Sequence, residues 1–265
     1  MAIVAEPAQA DVPRVQIATR TLRRDRWWLQ PALTDVGLLG FVIYSTWAAF
    51  QNADYYAAPY ISPFYSPCIS NNCPSGAQTF HAGFAVPTAL SPALIVLIFP
   101  LGFRVSCYYY RKAYYRSFWL SPPACAVSEP HRSYSGETRL PLILHRAHRY
   151  FFFFAMVFAA ILTYDAVLGF DFNGHLGMRL GSLVILINAV LIWGYTLGCH
   201  SCRHIIGGRL RAFSRHPLRY RFWGGVSVLN AKHLQWAWAS LIWVALTDVY
   251  IRLVASGAIT DVRFF

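Results

Sequence analysis

The run CHSCRH sets Cys199, His200, Cys202 and His204 within one short stretch. Thiolates and imidazoles together ligate zinc, or an iron–sulfur cluster with two Cys on one iron and two His on the other. Cys202-Arg203-His204 has the C-x-H spacing of one half of such a Rieske-like site; a companion C-x-x-H half is absent from the sequence. Cys107, Cys125, His145, His148 and His233 stand elsewhere in the chain. The expected metal ligands are Cys202 and His204, with Cys107 or Cys199 as the second thiolate and His148 or His233 as the second imidazole. Cys125 falls in a loop that the pattern does not place. Haem b is the alternative: it takes one axial His from each of two facing helices, which His148, His200, His204 or His233 could supply.

These residues need elements that bring them together. Five apolar stretches do so, at about 33–52, 87–107, 148–170, 180–200 and 233–255. Each approaches the roughly 20 residues that cross a bilayer core. The runs are continuously apolar rather than alternating, so helices are expected, not barrel strands. Pro92 and Pro100 should kink the second. Only 13% of the 265 residues are charged, against about 25% in soluble domains. An aromatic content of 17% argues against disorder.

Twenty basic residues lie before the first stretch, from Arg104 at the inner end of the second to Arg149 at the start of the third, and between the fourth and fifth; only Arg179, Arg252 and Arg263 lie on the other side. This asymmetry puts the N-terminus in the cytoplasm and the C-terminus outside. The net charge of +12 then reflects membrane topology and not nucleic-acid binding. The expected fold is an all-α, five-helix transmembrane bundle. Residues 1–32 form a cytoplasmic arm, with a short interfacial segment at 20–30 carrying Trp27 and Trp28, and residues 33–265 form the bundle.

In that topology seven of nine histidines and four of six cysteines gather on the inner face. Ionisable and ligand residues near membrane depth are costly and mark function. Cys68 and Cys73 fall in an outer loop, YSPCISNNCPSG, where the compartment permits a disulfide between them. Asp248 and Arg252 are spaced i,i+4 near the outer end of the fifth stretch, as an ion pair would be. With Asp165 they read first as interfacial anchors and second as an outer proton path.

The runs CYYYRKAYYRSFWLSPPACAVSEPHRSYSGETRLPLIL, HRYFFF, YTLGCHSCRHIIGG, FSRHPLRYR and LNAKHLQWAWASLIWVALTDVYIRLVASG carry a resemblance. From about residue 30 to its end the chain resembles the membrane-anchor subunit of an actinobacterial, mycobacteria-like succinate dehydrogenase, a succinate:quinone oxidoreductase. The resemblance implies a bacterial cytoplasmic-membrane protein. It implies partners in a flavoprotein subunit holding FAD and an iron–sulfur subunit holding further clusters, and electrons delivered from succinate to a quinone, expected to be menaquinone. The two-haem branch of that family needs two histidines near each face. Here the outer side has only His81 and His175, both in loops. A Rieske-like [2Fe-2S] cluster is therefore expected in place of two haems.

Quinone reduction needs an apolar wedge, donors at two carbonyl oxygens and a proton source. Tyr108, Tyr109, Arg111, Trp119, His148, Arg149 and Tyr150 lie near the inner boundary and are the expected quinone residues. The inner basic segments, Arg111 to Arg149 and Arg203 to Lys232, are the expected docking face, since Arg and aromatics are enriched at interfaces. A different reading is a transporter or zinc-binding membrane protein without redox partners. Against it, the sequence has no paired halves of similar pattern of the kind many transporters show.

Overall fold

The computed structural model describes residues 23–69, 73–77, 91–130, 138, 140, 142–208 and 210–265. Most of the expected N-terminal arm, and both His81 and His131, lie outside these residues. Nine α-helices follow in order among the described residues: α1 (Leu29–Gln51), α2 (Ala93–Val96), α3 (Ile98–Ser106), α4 (Tyr108–Ser117), α5 (His148–Leu168), α6 (Leu180–Leu197), α7 (His200–Gly207), α8 (Pro217–Ala231) and α9 (His233–Ala255). A 3-10 turn, Leu142–Ala147, leads into α5, and two small hairpins cap the outer ends.

Four helical segments are long and apolar enough to cross a bilayer, and a bent pair makes a fifth. α1 and α9 have 23 residues each, about 35 Å at 1.5 Å per residue, which exceeds the roughly 30 Å hydrocarbon core. α6 packs against both α5 and α9, and α3 lies against α5. α1 stays largely exposed along its apolar length, with Leu33, Val36, Ile43 and Phe50 all facing out, as expected of a lipid-facing helix.

The second span differs from expectation. Pro92 caps α2, and Pro100 sits in the first turn of α3, where a missing N–H is tolerated. Pro100 cannot donate to the Val96 carbonyl, and α2 gives way to α3 at Leu97. The large bend lies at neither proline. It falls at Cys107, whose extended backbone (φ −66°, ψ 136°) caps α4, and the chain turns there by 75°. α4 thus runs across the inner end of the bundle instead of prolonging the span.

At the outer end, the loop after α1 tucks into the bundle. Cys68 and Cys73 form the expected disulfide. Asp248 and Arg252 are paired at 2.7 Å, and both are buried. Tyr44 donates its hydroxyl to the same carboxylate at 2.5 Å, and Ser62 donates to its other oxygen. Arg252 also donates to the carbonyls of Ala53 at 2.8 Å and Ala48 at 3.0 Å. Every strong polar group here has a partner, which is the condition for burying charge in an apolar medium. Arg252→Met strands the Asp248 carboxylate. The expected cost is about 3–5 kcal/mol, read as a lowered unfolding midpoint of the detergent-solubilised protein; an unchanged midpoint would contradict a stabilising role for the pair.

Candidate functional site

The bend at Cys107 and the starts of α5, α7 and α9 converge at the inner end. His148 opens α5, Cys199 caps α7 and His233 opens α9. Cys107, Cys199 and His233 are 2%, 1% and 1% exposed. His148 Nε2 lies 3.1 Å from Cys199 Sγ, and His233 Nε2 lies 3.7 Å from Cys107 Sγ. Two thiols and two imidazoles, each from a different element, therefore stand as two Cys–His pairs.

The surrounding residues fix both rings. Ser106 Oγ is 2.9 Å from His148 Nδ1, and Phe103 stacks on the His148 ring at 4.8 Å. Tyr195 stacks on His233 at 5.1 Å, nearly parallel. Gly194 and Gly198 of the inner end of α6 make room for α9. A Cβ on Gly194 would lie 2.6 Å from Trp236, and one on Gly198 would lie 3.2 Å from His233 Nδ1.

The structure corrects the expected ligand set. Side chains two apart on a helix do not share a face, and α7 separates Cys202 from His204 in this way. Cys202 is buried in the apolar cluster with Cys107 and Cys199. His204 is exposed, and its Nδ1 meets the Arg149 guanidinium. His200 is exposed, with its ring 6.3 Å from His233, and Cys125 is an exposed thiol. Among the described residues no three His, Cys, Asp or Glu side chains form a group able to hold one metal ion. Neither the expected Rieske-like cluster nor the zinc alternative therefore finds a preformed group of ligands among the described residues. The two Cys–His pairs fit a four-ligand cluster in donor type, two thiols and two imidazoles.

The expected quinone residues scatter. Tyr108, Arg149 and Tyr150 are exposed, and Arg111 lies over the Tyr108 ring at 5.6 Å. Tyr109 packs edge-on to His233 at 5.4 Å. Trp119 lines two clefts. One, of about 940 Å³, runs between α1, α3 and α4 past Arg104, Tyr110 and Tyr114. The other, of about 850 Å³, is bordered by Ser106, Tyr114 and His145.

Arg104 was not singled out from the sequence, although an arginine inside an apolar stretch is a signal in itself. Its guanidinium lies 4.9 Å over the Tyr195 ring. It donates to the Tyr110 hydroxyl and, at 3.2 Å, to Ser240 Oγ. No carboxylate pairs with it among the described residues. Tyr110, Tyr114, Tyr195 and Ser106 were likewise missed, because tyrosine and serine at a membrane boundary carry no distinctive spacing.

A family model described as actinobacterial succinate dehydrogenase subunit SdhC matches residues 29–257. The chain belongs to that family. It is also similar to a chain of the Mycobacterium smegmatis Sdh1 complex in the apo form, at 50% identity and a TM-score of 0.86, over 96% of this chain and 97% of that one. Comparison with curated proteins gave no match. As an SdhC-family chain with several apolar spans, it is a multi-pass membrane subunit of an oxidoreductase, succinate dehydrogenase.

Burial pushes the Cys199 thiol up to about 12, and burial raises Cys202 as well. A thiol raised in this way stays protonated at pH 8 and is a poor nucleophile. In the metal-free, detergent-solubilised chain, iodoacetamide at pH 8 is expected to modify Cys125 and to spare Cys199 and Cys202 for this reason and Cys107 because it is buried, as read by peptide mass spectrometry. Equal rates at Cys125 and Cys199 would contradict the burial.

Proposed function

We propose that the chain is the membrane anchor that passes electrons from succinate oxidation to a membrane quinone. Its basic inner face docks the flavoprotein and iron–sulfur subunits, as befits a relative of a chain from an Sdh1 complex. The observation that carries the reading is the convergence of Cys107, His148, Cys199 and His233 from separate elements, with Ser106, the partner of His148, also bordering a cleft at Trp119. In this reading the four side chains hold a Rieske-like [2Fe-2S] cluster. Such a cluster, when bound, supplies one-electron transfer at the depth where the quinone arrives. The presence of two thiols beside the two imidazoles favours the cluster over haem b held by two histidines, which uses no cysteine.

The remaining roles belong to the chain's own residues. Ser106 orients His148 through Nδ1. Phe103 and Tyr195 cover the imidazoles and keep water from them. The menaquinone ring and tail enter the apolar clefts flanking Trp119. Arg104 offers a donor for a carbonyl oxygen, where a preorganised cation stabilises developing negative charge, while the Tyr110 hydroxyl accepts from Arg104 and donates to the Ala237 carbonyl. Tyr114 lines both clefts; its hydroxyl donates to the Val105 carbonyl at 3.0 Å and lies 3.1 Å from His145 Nε2, and His145 is the proton donor toward the inner surface.

In the purified complex, His233→Ala should abolish quinone reduction. It should also remove one iron–sulfur signal from the EPR spectrum while succinate still reduces a soluble dye through the partner subunits. A haem Soret band with no such signal in the unsubstituted complex would overturn the cluster. Trp119→Ala should raise the KM for quinone about tenfold, equivalent to about 1.4 kcal/mol of contact; an unchanged KM would remove the clefts from the reading.

A further inference from the structure

Where α1, α4 and α9 meet at the inner end they leave a cleft of about 650 Å³, separate from the two at Trp119. Its α4 wall holds Tyr109, Lys112 and Arg116. These stand at i, i+3 and i+7, so they share one face of that helix. The α1 wall holds Gln30 and Thr34, and the α9 wall holds Leu234 and Trp238. Each of these pairs is spaced i,i+4 and belongs to the first turns of a membrane span. The cleft therefore lies at the headgroup layer of the inner leaflet, the depth that the exposed Trp28 also marks, as interfacial tryptophans do.

Two cations line this cleft without a counter-charge. Neither Lys112 nor Arg116 has an ion-pair partner among the described residues. Asp35, the neighbour of Thr34 in the chain, is not in the wall. Gln30 and Thr34 add neutral hydrogen-bonding groups. Polarity then falls along the spans. Leu29 and Leu33 of α1 and Leu234 of α9 are exposed, so the flanks of the cleft open onto lipid. A ligand that matches has a negative, hydrogen-bond-accepting head and apolar tails. An acidic segment of a soluble partner would meet the charges and leave the apolar flanks uncovered.

We propose that this cleft binds an anionic phospholipid of the inner leaflet. Its phosphate sits between Lys112 and Arg116 beside Gln30 and Thr34, and its acyl chains run toward the bilayer centre over Leu234 and the exposed leucines of α1. Basic pockets between membrane spans on the cytoplasmic side take anionic headgroups in this way. Tyr109 packs edge-on to His233 at 5.4 Å, so the lipid also braces one wall of the inner Cys–His pairs. The site needs only the membrane topology, and it stands whatever those pairs hold.

The test uses the intact complex, stripped of lipid in detergent and titrated with dioleoylphosphatidylglycerol or dioleoylphosphatidylcholine, with bound lipid counted by native mass spectrometry. The expected result is one phosphatidylglycerol per anchor chain held about tenfold more tightly than phosphatidylcholine. Lys112→Gln and Arg116→Gln should each weaken that binding about fivefold, the equivalent of about 1 kcal/mol per cation near a membrane surface. The difference between unsubstituted and variant complexes isolates this site from lipid bound elsewhere.

Equal binding of the two lipids by the unsubstituted complex, or phosphatidylglycerol binding unchanged in both variants, overturns the proposal. Displacement of the lipid by millimolar inorganic phosphate would show a site for free phosphate and overturn it too. Loss of the soluble subunits from the double variant, with its lipid count unchanged, would give the two cations to the partner interface and contradict the lipid site.

Discussion

A bilayer core offers no water to a polar group, so each one buried there must find a partner within the protein or carry no charge. That constraint explains where the polar residues of this chain gather. Most of them collect toward the two ends of the bundle, and Asn188 of α6 and Ser240 of α9 are buried within their spans. At the outer end the constraint is met by saturation: Arg252 and Asp248 satisfy each other and are closed in by hydroxyls and carbonyls. At the inner end thiol is paired with imidazole beneath aromatic rings, and His233 Nδ1 is left without a partner among the described residues.

The inner end depends on two backbone devices. The extended residue at Cys107 stops α3, turns the chain into α4 and leaves its thiol facing the bundle axis instead of lipid. The glycines at the end of α6 allow α9 to bring His233 to within stacking distance of Tyr195. Helix starts supply His148 and His233, so both imidazoles sit at the boundary between apolar core and interface. An electron arriving from a soluble partner and a quinone arriving from the lipid can both reach that boundary.

Much of the architecture was legible in the sequence. Continuous apolar runs define the spans, because length and hydropathy alone decide whether a helix crosses a bilayer. The outer disulfide followed from compartment, and the Asp248–Arg252 pair from i,i+4 spacing. The identity of the inner pairs was only half legible. Cys107, Cys199, His148 and His233 stood among the candidates, but the compact CHSCRH run drew attention to Cys202 and His204. Spacing along a chain misleads when a helix turns neighbours away from each other, and α7 does this. The 75° bend was misplaced for a related reason: proline is a visible signal, whereas an extended cysteine between two helices has none. Arg104 was counted as a topological charge, and only its packing over Tyr195 reveals it as a cleft residue.

The account stands or falls on what the four inner donors hold. Pulsed EPR of the reduced complex measures this directly, because nitrogen nuclei bound to a paramagnetic iron centre leave resolvable couplings. The account predicts couplings from two imidazoles, one lost in His148→Ala and the other in His233→Ala. A spectrum with no nitrogen-coupled iron–sulfur centre, in a complex that still reduces quinone, would contradict it.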